Sequence, residues 1–426
     1  MDLEKIVGKN WLNEREALIK QEQRPGRKES WLDCVNPKLL IKTYNQGDGR
    51  NDVWKAVDCI RLENGNFGLI LKPNEGGGFY AFILTDGVDI YQTYLLGEMP
   101  VSEFLRTKIG LILGKDIHKA DDKVLIDVVE NDITALMIDI LREIMSFLPQ
   151  KVDLIGIEGP TIAYDVQKKY TYQLGKSRQI FEEFHIPVVS HFHNADISNG
   201  GQGSPICATY YQALSALVDK PALFVNIGGQ TSLTYIGCFG EMLSFDCGPG
   251  NEMLNNFMKK HAHVAMDYNG RCAASGVADE KIISALMQHE FFKKMPPKAL
   301  DRRTFDDKTE HCEGLSIENG AATITAFIAE SIVQSICSLL PEKPETIIIC
   351  GGGAANPTLV RTVKQKLKLQ NMKASTFDAD VKPDDAACIA FLAARRLYQL
   401  PITFPSTTGV SAPLIGGKIY DKESTK

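Results

Sequence analysis

Residues 347–357 read IIICGGGAANP, an apolar run that ends in three glycines and an Asn-Pro pair and is followed by a helical pattern over 358–367. Isoleucines with no polar alternation suit a buried strand. Strand, glycine turn and helix together make one unit of an α/β layer. Glycine at that junction lets backbone lie flat against a nucleotide while the helix N-terminus offers N–H groups. A structural strand–helix turn is the plainer use of the same residues.

Three more glycine-rich clusters lie upstream: ADISNGGQGSP (195–205), NIGG (226–229) and FDCGPGN (245–251). NIGG, with Gln230-Thr231-Ser232 after it, reads as a hairpin tip whose N–H groups and hydroxyls suit a polyphosphate, or as a plain turn. Asp196 precedes Gly200, Gly201, Gln202 and Gly203 in a loop leading into a helix, which makes it a candidate general base or a helix cap. Asp246 and Asn251, at a strand end and a helix start, are candidates to hold a polar ligand or the water shell of Mg²⁺, or to cap. Two His-x-His pairs, His191/His193 and His261/His263, raise a metal site because alternate residues of a strand share a face. The sequence offers them no third ligand.

At 426 residues, 44% of them apolar, the chain exceeds one ordinary core and predicts two lobes. A net charge of −6 gives no electrostatic reason for nucleic acid or an anionic membrane as partner. The ten cysteines are scattered without a Cys-x-x-Cys pair, which suggests a reducing compartment. The charged start lacks an apolar h-region, so a cytoplasmic location is expected. Two weakly charged stretches, near 221–240 and 321–340, contain polar residues and read as buried elements of the protein.

Residues 1–38 read as a charged extension. Runs at 39–44, 56–62, 67–72, 79–84 and 88–97, separated by turn signals, predict an antiparallel meander. Ile133, Leu136, Met137, Ile140 and Ile144 share one helical face, stopped by Pro149 and followed by a strand at 152–157. The same plan returns with strands at 222–227, 232–236 and 242–245, a helix holding Leu254, and a helix holding Ile324, Phe327, Ile328, Ile332 and Ile336. The division predicted is an extension (1–38), a first lobe (39–206) and a second lobe (207–426) whose last helix returns to the first.

The clusters, in this order, resemble the anhydro-sugar kinases: anhydro-N-acetylmuramic acid kinase and its levoglucosan-kinase relatives. Further matches are DYNGRCAASG (267–276), Pro296-Pro297-Lys298 and LPITFPSTTG (400–409), so the likeness runs over nearly the whole chain. It implies a two-lobed, actin-like, ribonuclease H-like α/β fold with a central cleft, and a homodimer. It also implies ATP and Mg²⁺ as cofactors and a small sugar as substrate: Asp196 activates water against the anomeric carbon of a 1,6-anhydro sugar while O6 takes the γ-phosphoryl group. By that likeness Asn226, Gly228 and Gly229 border the phosphates, and Gly351, Gly352, Gly353 and Asn356 the adenosine. Gln202, Asp246, Gly248, Asn251 and Lys298 face the sugar. The nearest equivalent of the family's first phosphate loop, Ser-Gly-Thr-Ser-x-Asp-Gly-x-Asp, is the altered stretch 45–58 with Asn45, Gly47 and Gly49. The family's His-Gly-Gln-Thr is Glu158-Gly159-Pro160-Thr161 here, and its Asp-Phe-Arg is His191-Phe192-His193. An inactive relative that binds a sugar or a protein partner is the alternative these changes leave open.

Overall fold

Turn chemistry and alternation build the first sheet. β3 (Gly65–Lys72), β4 (Gly77–Thr85) and β5 (Ile90–Pro100) pair antiparallel in chain order. The β4–β5 turn is closed by Asp86, whose Oδ1 accepts from the N–H groups of Val88 and Asp89, both at 2.8 Å. This is a computed structural model that describes residues 27–33, 40–46, 65–72, 77–148, 152–301, 304–305, 307–376 and 384–425. The expected strand at 56–62 lies outside the described residues. β1 (Arg27–Asp33) falls inside the stretch read as an extension and pairs antiparallel with β2 (Leu40–Gln46) as a separate two-stranded sheet. Its sequence, RKESWLD, has too little apolar alternation to announce a strand.

Helix α1 (Glu103–Ile112) begins on Ser102, whose hydroxyl caps the Leu105 N–H at 3.2 Å. α2 (Ala120–Phe147) buries Ile133, Met137, Ile140 and Ile144, with Leu136 half-buried on the flank. Leu148 then leaves the helix with ψ 127°, the extended state a following proline imposes. There follow β6 (Val152–Glu158), the hairpin β7 (Thr161–Asp165) and β8 (Tyr170–Gln173), α3 (Ser177–Phe184), β9 (Val188–Ser190), α4 (Asn194–Ser198) and α5 (Ala208–Leu214).

The second half repeats the plan with β10 (Ala222–Ile227), β11 (Gln230–Ile236), β12 (Met242–Pro249), α6 (Asn251–Ala262), α7 (Arg271–Ser275), α8 (Glu280–Leu286), α9 (Ile317–Leu339), β13 (Thr346–Cys350), α10 (Pro357–Leu369) and β14 (Ser375–Thr376). The chain ends with α11 (Asp385–Leu397) and β15 (Lys418–Tyr420). Among the described residues the large sheets run β5-β4-β3-β6-β9-β15 and β12-β11-β10-β13-β14. In chain order both open 3-2-1-4-5, an antiparallel meander followed by parallel strands. This duplicated order is the two-lobed actin-like, sugar-kinase fold.

α9 is long and apolar enough to cross a membrane by length and composition, yet most of it is buried, against α6, α7, α8, α10 and β12. α11 lies across β3, β4 and β6. Gly68 and Gly156 permit that approach, since a Cβ on either would stand 2.0 Å from the Ala386 carbonyl oxygen or 2.7 Å from that of Ile389. α5 and α11 share one apolar core with residues of both sheets, among them Ala81, Ile83 and Leu154 of the first and Phe224 and Ile348 of the second.

Candidate active site

Asp196 sits on α4, only 1% exposed. Its Oδ1 accepts from the Gly203 N–H at 2.7 Å and its Oδ2 from the Thr408 hydroxyl at 2.5 Å. Gly200 and Gly203 adopt φ +86° and +75°, so the chain doubles back over the carboxylate in conformations that side chains resist. Gln202 donates its N–H to the Thr408 carbonyl at 2.7 Å, and its own carbonyl accepts the Tyr164 hydroxyl from β7. Both Asp196 oxygens keep a second lone pair after these bonds, so each can accept from a further donor.

The segment around Thr408 ties this loop to the second sheet. The Ser406 carbonyl accepts the Ser244 N–H of β12 at 3.1 Å. Two residues on, Asp246 is buried, with its Oδ2 accepting from the Leu300 N–H at 2.8 Å. Burial pushes its carboxyl up to about 7, against the opposing pull of that N–H and of Lys298. Tyr164 lies within the fields of Asp246, Asp196 and Asp301. Burial first, and then those carboxylates, raise its phenol well above the ordinary 10.0.

The Asp246 shift carries a sign. The unfolded chain releases this proton near 3.8 and the folded chain near 7, so between those values the fold binds the extra proton and loses stability as pH rises. Asp246→Asn keeps an acceptor for Leu300 and removes that loss. The variant is expected to be more stable than the parent by about 4 kcal/mol at pH 8 and close to it at pH 4. Urea unfolding at the two pH values measures it; a stability difference that does not change with pH would refute it.

A second polar chain supports the loop from behind. His193 Nδ1 is 2.6 Å from the Gly203 carbonyl and Nε2 is 3.0 Å from Glu158 Oε1. An oxygen thus faces each ring nitrogen, an arrangement that a ring protonated on both nitrogens satisfies. Burial opposes that charge most strongly. Glu158, the Gly203 carbonyl and Asp196 together overcome it and raise the His193 pKa.

The other glycine clusters meet on the second lobe. Parallel pairing of β10 with β13 sets Asn226 opposite Cys350. A Cβ on Gly351, whose φ is +77°, would stand 2.2 Å from Asn226 Oδ1, and one on Gly353 would stand 2.4 Å from Ile227 Cγ2. Asn226 Oδ1 is buried and has no partner among the described residues. Below the turn, the Asn251 N–H donates to the Gly228 carbonyl at 2.8 Å and the Gly250 N–H to that of Gly229 at 3.0 Å. β12 therefore joins the two groups, carrying Asp246 beside the Asp196 side and ending beneath the glycine turn.

The family model for anhydro-N-acetylmuramic acid kinase matches residues 86–422. The chain belongs to that family. An anhydro-N-acetylmuramic acid kinase of Acidiphilium cryptum (strain JF-5) is 33% identical over 356 residues, covering 83% of this chain and 97% of its own. One from Rhodopseudomonas palustris (strain BisB18) is 38% identical over 275 residues, 63% of this chain and 74% of its own. Among solved structures, the ADPNP-bound activator of 2-hydroxyisocaproyl-CoA dehydratase from Clostridium difficile covers 79% of this chain and 96% of its own, at 12% identity and a TM-score of 0.40. The anhydro-N-acetylmuramic acid kinase family is one of phosphotransferases that act on a sugar hydroxyl.

Several residues singled out in the sequence have structural duties within this family member. Asn356 caps α10, its Oδ1 accepting from the Thr358 and Leu359 N–H groups at 3.1 Å each. Gly248 faces α9, where a Cβ would stand 2.5 Å from Ser331 Oγ. Lys298 turns its ammonium to the Phe291 carbonyl at 3.3 Å and lies 4.5 Å from the centroid of that ring, 4% exposed. Gly352 opens the short helical turn at Gly352–Ala355 beside these groups. Asn45 is on β2, opposite Lys28 of β1, in a two-stranded sheet of its own; Gly47 and Gly49 lie outside the described residues.

The histidine pairs do not share strand faces. β9 stops at Ser190, and His191 has φ +58°, which turns the chain before His193. His261 is in the last turn of α6 against Phe257, and His263 caps that helix with φ +55°. Among the described residues no three His, Cys, Asp or Glu side chains converge as metal ligands. Tyr164, Thr408 and Ser406 were not legible as site residues. The run LPITFPSTTG contained the two loop residues, but a hydroxyl in an irregular loop has no period to mark its partner.

Proposed function

We propose that this protein is an ATP-dependent kinase of a 1,6-anhydro sugar, acting in the cytosol as part of amino-sugar and cell-wall recycling. Asp196 takes a proton from water as the water oxygen bonds to the anomeric carbon. The bond from that carbon to O6 breaks, and O6 accepts the γ-phosphoryl group of ATP, leaving ADP. The observation that carries this reading is the buried Asp196, fixed by Gly203 and Thr408 with lone pairs to spare, in a chain of this family.

The nucleotide is assigned to the β10–β11 turn and the 351–353 glycines, which lie close against Asn226 and Ile227. Bound Mg²⁺ supplies charge neutralisation on the phosphates. Asn226, with its buried unpaired Oδ1, is the side chain suited to its water shell. We place the first phosphate loop at the β3–β4 connection, residues 73–76, in preference to 45–58. The duplicated strand order supports this, because that connection holds in the first sheet the place of the Gly228-Gly229 turn in the second.

Gly351→Val adds a side chain where a Cβ alone already meets Asn226 and the Ile227 carbonyl, so ATP affinity is expected to fall by about ten-fold or more. Calorimetric titration of the folded variant measures this; unchanged affinity would move the nucleotide elsewhere. The function itself is tested by Mg-ATP turnover with 1,6-anhydro-N-acetylmuramic acid or levoglucosan. Sugar-dependent ADP release establishes the reaction. Silence with both sugars in folded protein favours the inactive sugar-binding relative, a reading to which the Glu158–His193 pair at family positions of different chemistry lends its weight.

A further inference from the structure

A cavity of about 420 Å³, within the ~300–1,000 Å³ range of small-molecule sites, opens on the far side of α4 from the reacting carboxylate. Asn194 and Ser198 line it from that helix. They stand two residues before and after Asp196, and at 3.6 residues per turn each projects about 160° away from it. The opposite wall is β8, with Tyr170, Thr171 and Tyr172, and Lys123 and Lys169 stand exposed at the rim.

Two of its polar atoms are shielded from solvent and have no partner among the described residues: the Tyr170 hydroxyl and Asn194 Oδ1. Such atoms destabilise a fold unless something supplies the missing bond. The nearby carboxylates are already engaged. Asp116 accepts the His118 N–H at 2.9 Å, and Glu130 accepts the Tyr172 hydroxyl at 3.0 Å and the Gly175 N–H at 3.1 Å. Lys123 and Lys169 have no ion pair among the described residues, so two ammonium groups stand at the rim beside aromatic rings, with His118 5.5 Å from Tyr170 between ring centroids.

We propose that this cavity is a second ligand site, separate from Asp196, for a small anionic saccharide: a hydroxylated ring bearing a carboxylate or a phosphate. The lysines call for the anion. Asn194 Oδ1 is an acceptor and needs a donor, which a ring hydroxyl supplies and a bare deprotonated anion does not. Tyr170 and Tyr172 offer ring faces of the kind that cover a pyranose, and the Tyr170 hydroxyl takes a second ring oxygen.

The test is titration of the full-length protein with glucose 6-phosphate, glucuronate, glucose and inorganic phosphate, followed by calorimetry. Saturable binding is expected for at least one of the two anionic sugars, at least ten-fold tighter than for glucose or inorganic phosphate; the tighter of the two identifies the anion. Lys123→Glu/Lys169→Glu, which changes only exposed side chains, is expected to weaken it at least ten-fold with melting unaltered, and Tyr170→Phe to weaken it without the change of charge. Sugar-dependent ATP turnover stays as in the parent, and the binding readout holds even for a chain without turnover. The proposal is overturned by equal binding of glucose or of inorganic phosphate, by undiminished binding in the double variant, or by loss of turnover together with binding, which would merge this cavity with the catalytic site.

Discussion

Asp196→Asn is expected to lower sugar-dependent phosphoryl transfer by ~10²–10⁴-fold, the range of a lost general base, while ATP affinity stays within about two-fold of the parent. The substitution is nearly isosteric, and the surroundings tolerate it for a specific reason. The Gly203 N–H can only donate, so the amide oxygen must face it. The amide NH₂ then faces Thr408, whose hydroxyl can rotate from donor to acceptor. The loop thus keeps its shape and loses only the site that takes the proton. Steady-state turnover with 1,6-anhydro-N-acetylmuramic acid, together with calorimetric ATP titration, measures both halves. Turnover that survives, or nucleotide binding and folding lost along with it, would make Asp196 a structural residue.

Gly201→Ala is expected to remove most of the same activity by a different route. Gly201 is not among the positive-φ glycines, so the objection to a side chain there is purely one of space. A Cβ would stand 2.0 Å from Asp196 Oδ1 and 2.7 Å from Val410 Cγ1. One of the two must move, at about 1–3 kcal/mol of overpacking, and a displaced carboxylate of this kind costs about 100-fold in rate. Gly200→Ala is the matched control. Nothing lies within 4 Å of its added Cβ, and only its φ of +86° resists, at roughly 1–2 kcal/mol. A Gly201→Ala enzyme with parental turnover would show that Asp196 need not sit where it does.

The strands and helices of the second half were legible because their residues alternate or recur at helical spacing, as in β10, α9 and β13. The Asp196 loop was legible from its glycines and one carboxylate. What else holds that carboxylate was not, since Thr408 lies 212 residues away along the chain and its contact leaves no local pattern. The 45–58 stretch attracted attention by its Gly-Asp-Gly lettering; residues 47–58 of it lie outside the described residues. Asn356 shows a second local signal: Asn before Pro at a helix start is a capping signature, and its Oδ1 accepts from the Thr358 and Leu359 N–H groups.

The position of α11 sets an order on synthesis. β3, β4 and β6 are made in the first 158 residues, yet the helix that covers Ala81, Ile83 and Leu154 begins at Asp385. β9 likewise waits for β15. A ribosome that has translated the whole first sheet still holds a chain whose apolar face has no cover. Since domains ordinarily fold as they emerge, this one depends on the segment from α11 to β15 arriving, and a chain cut short just before α11 would be a client for chaperones and proteases.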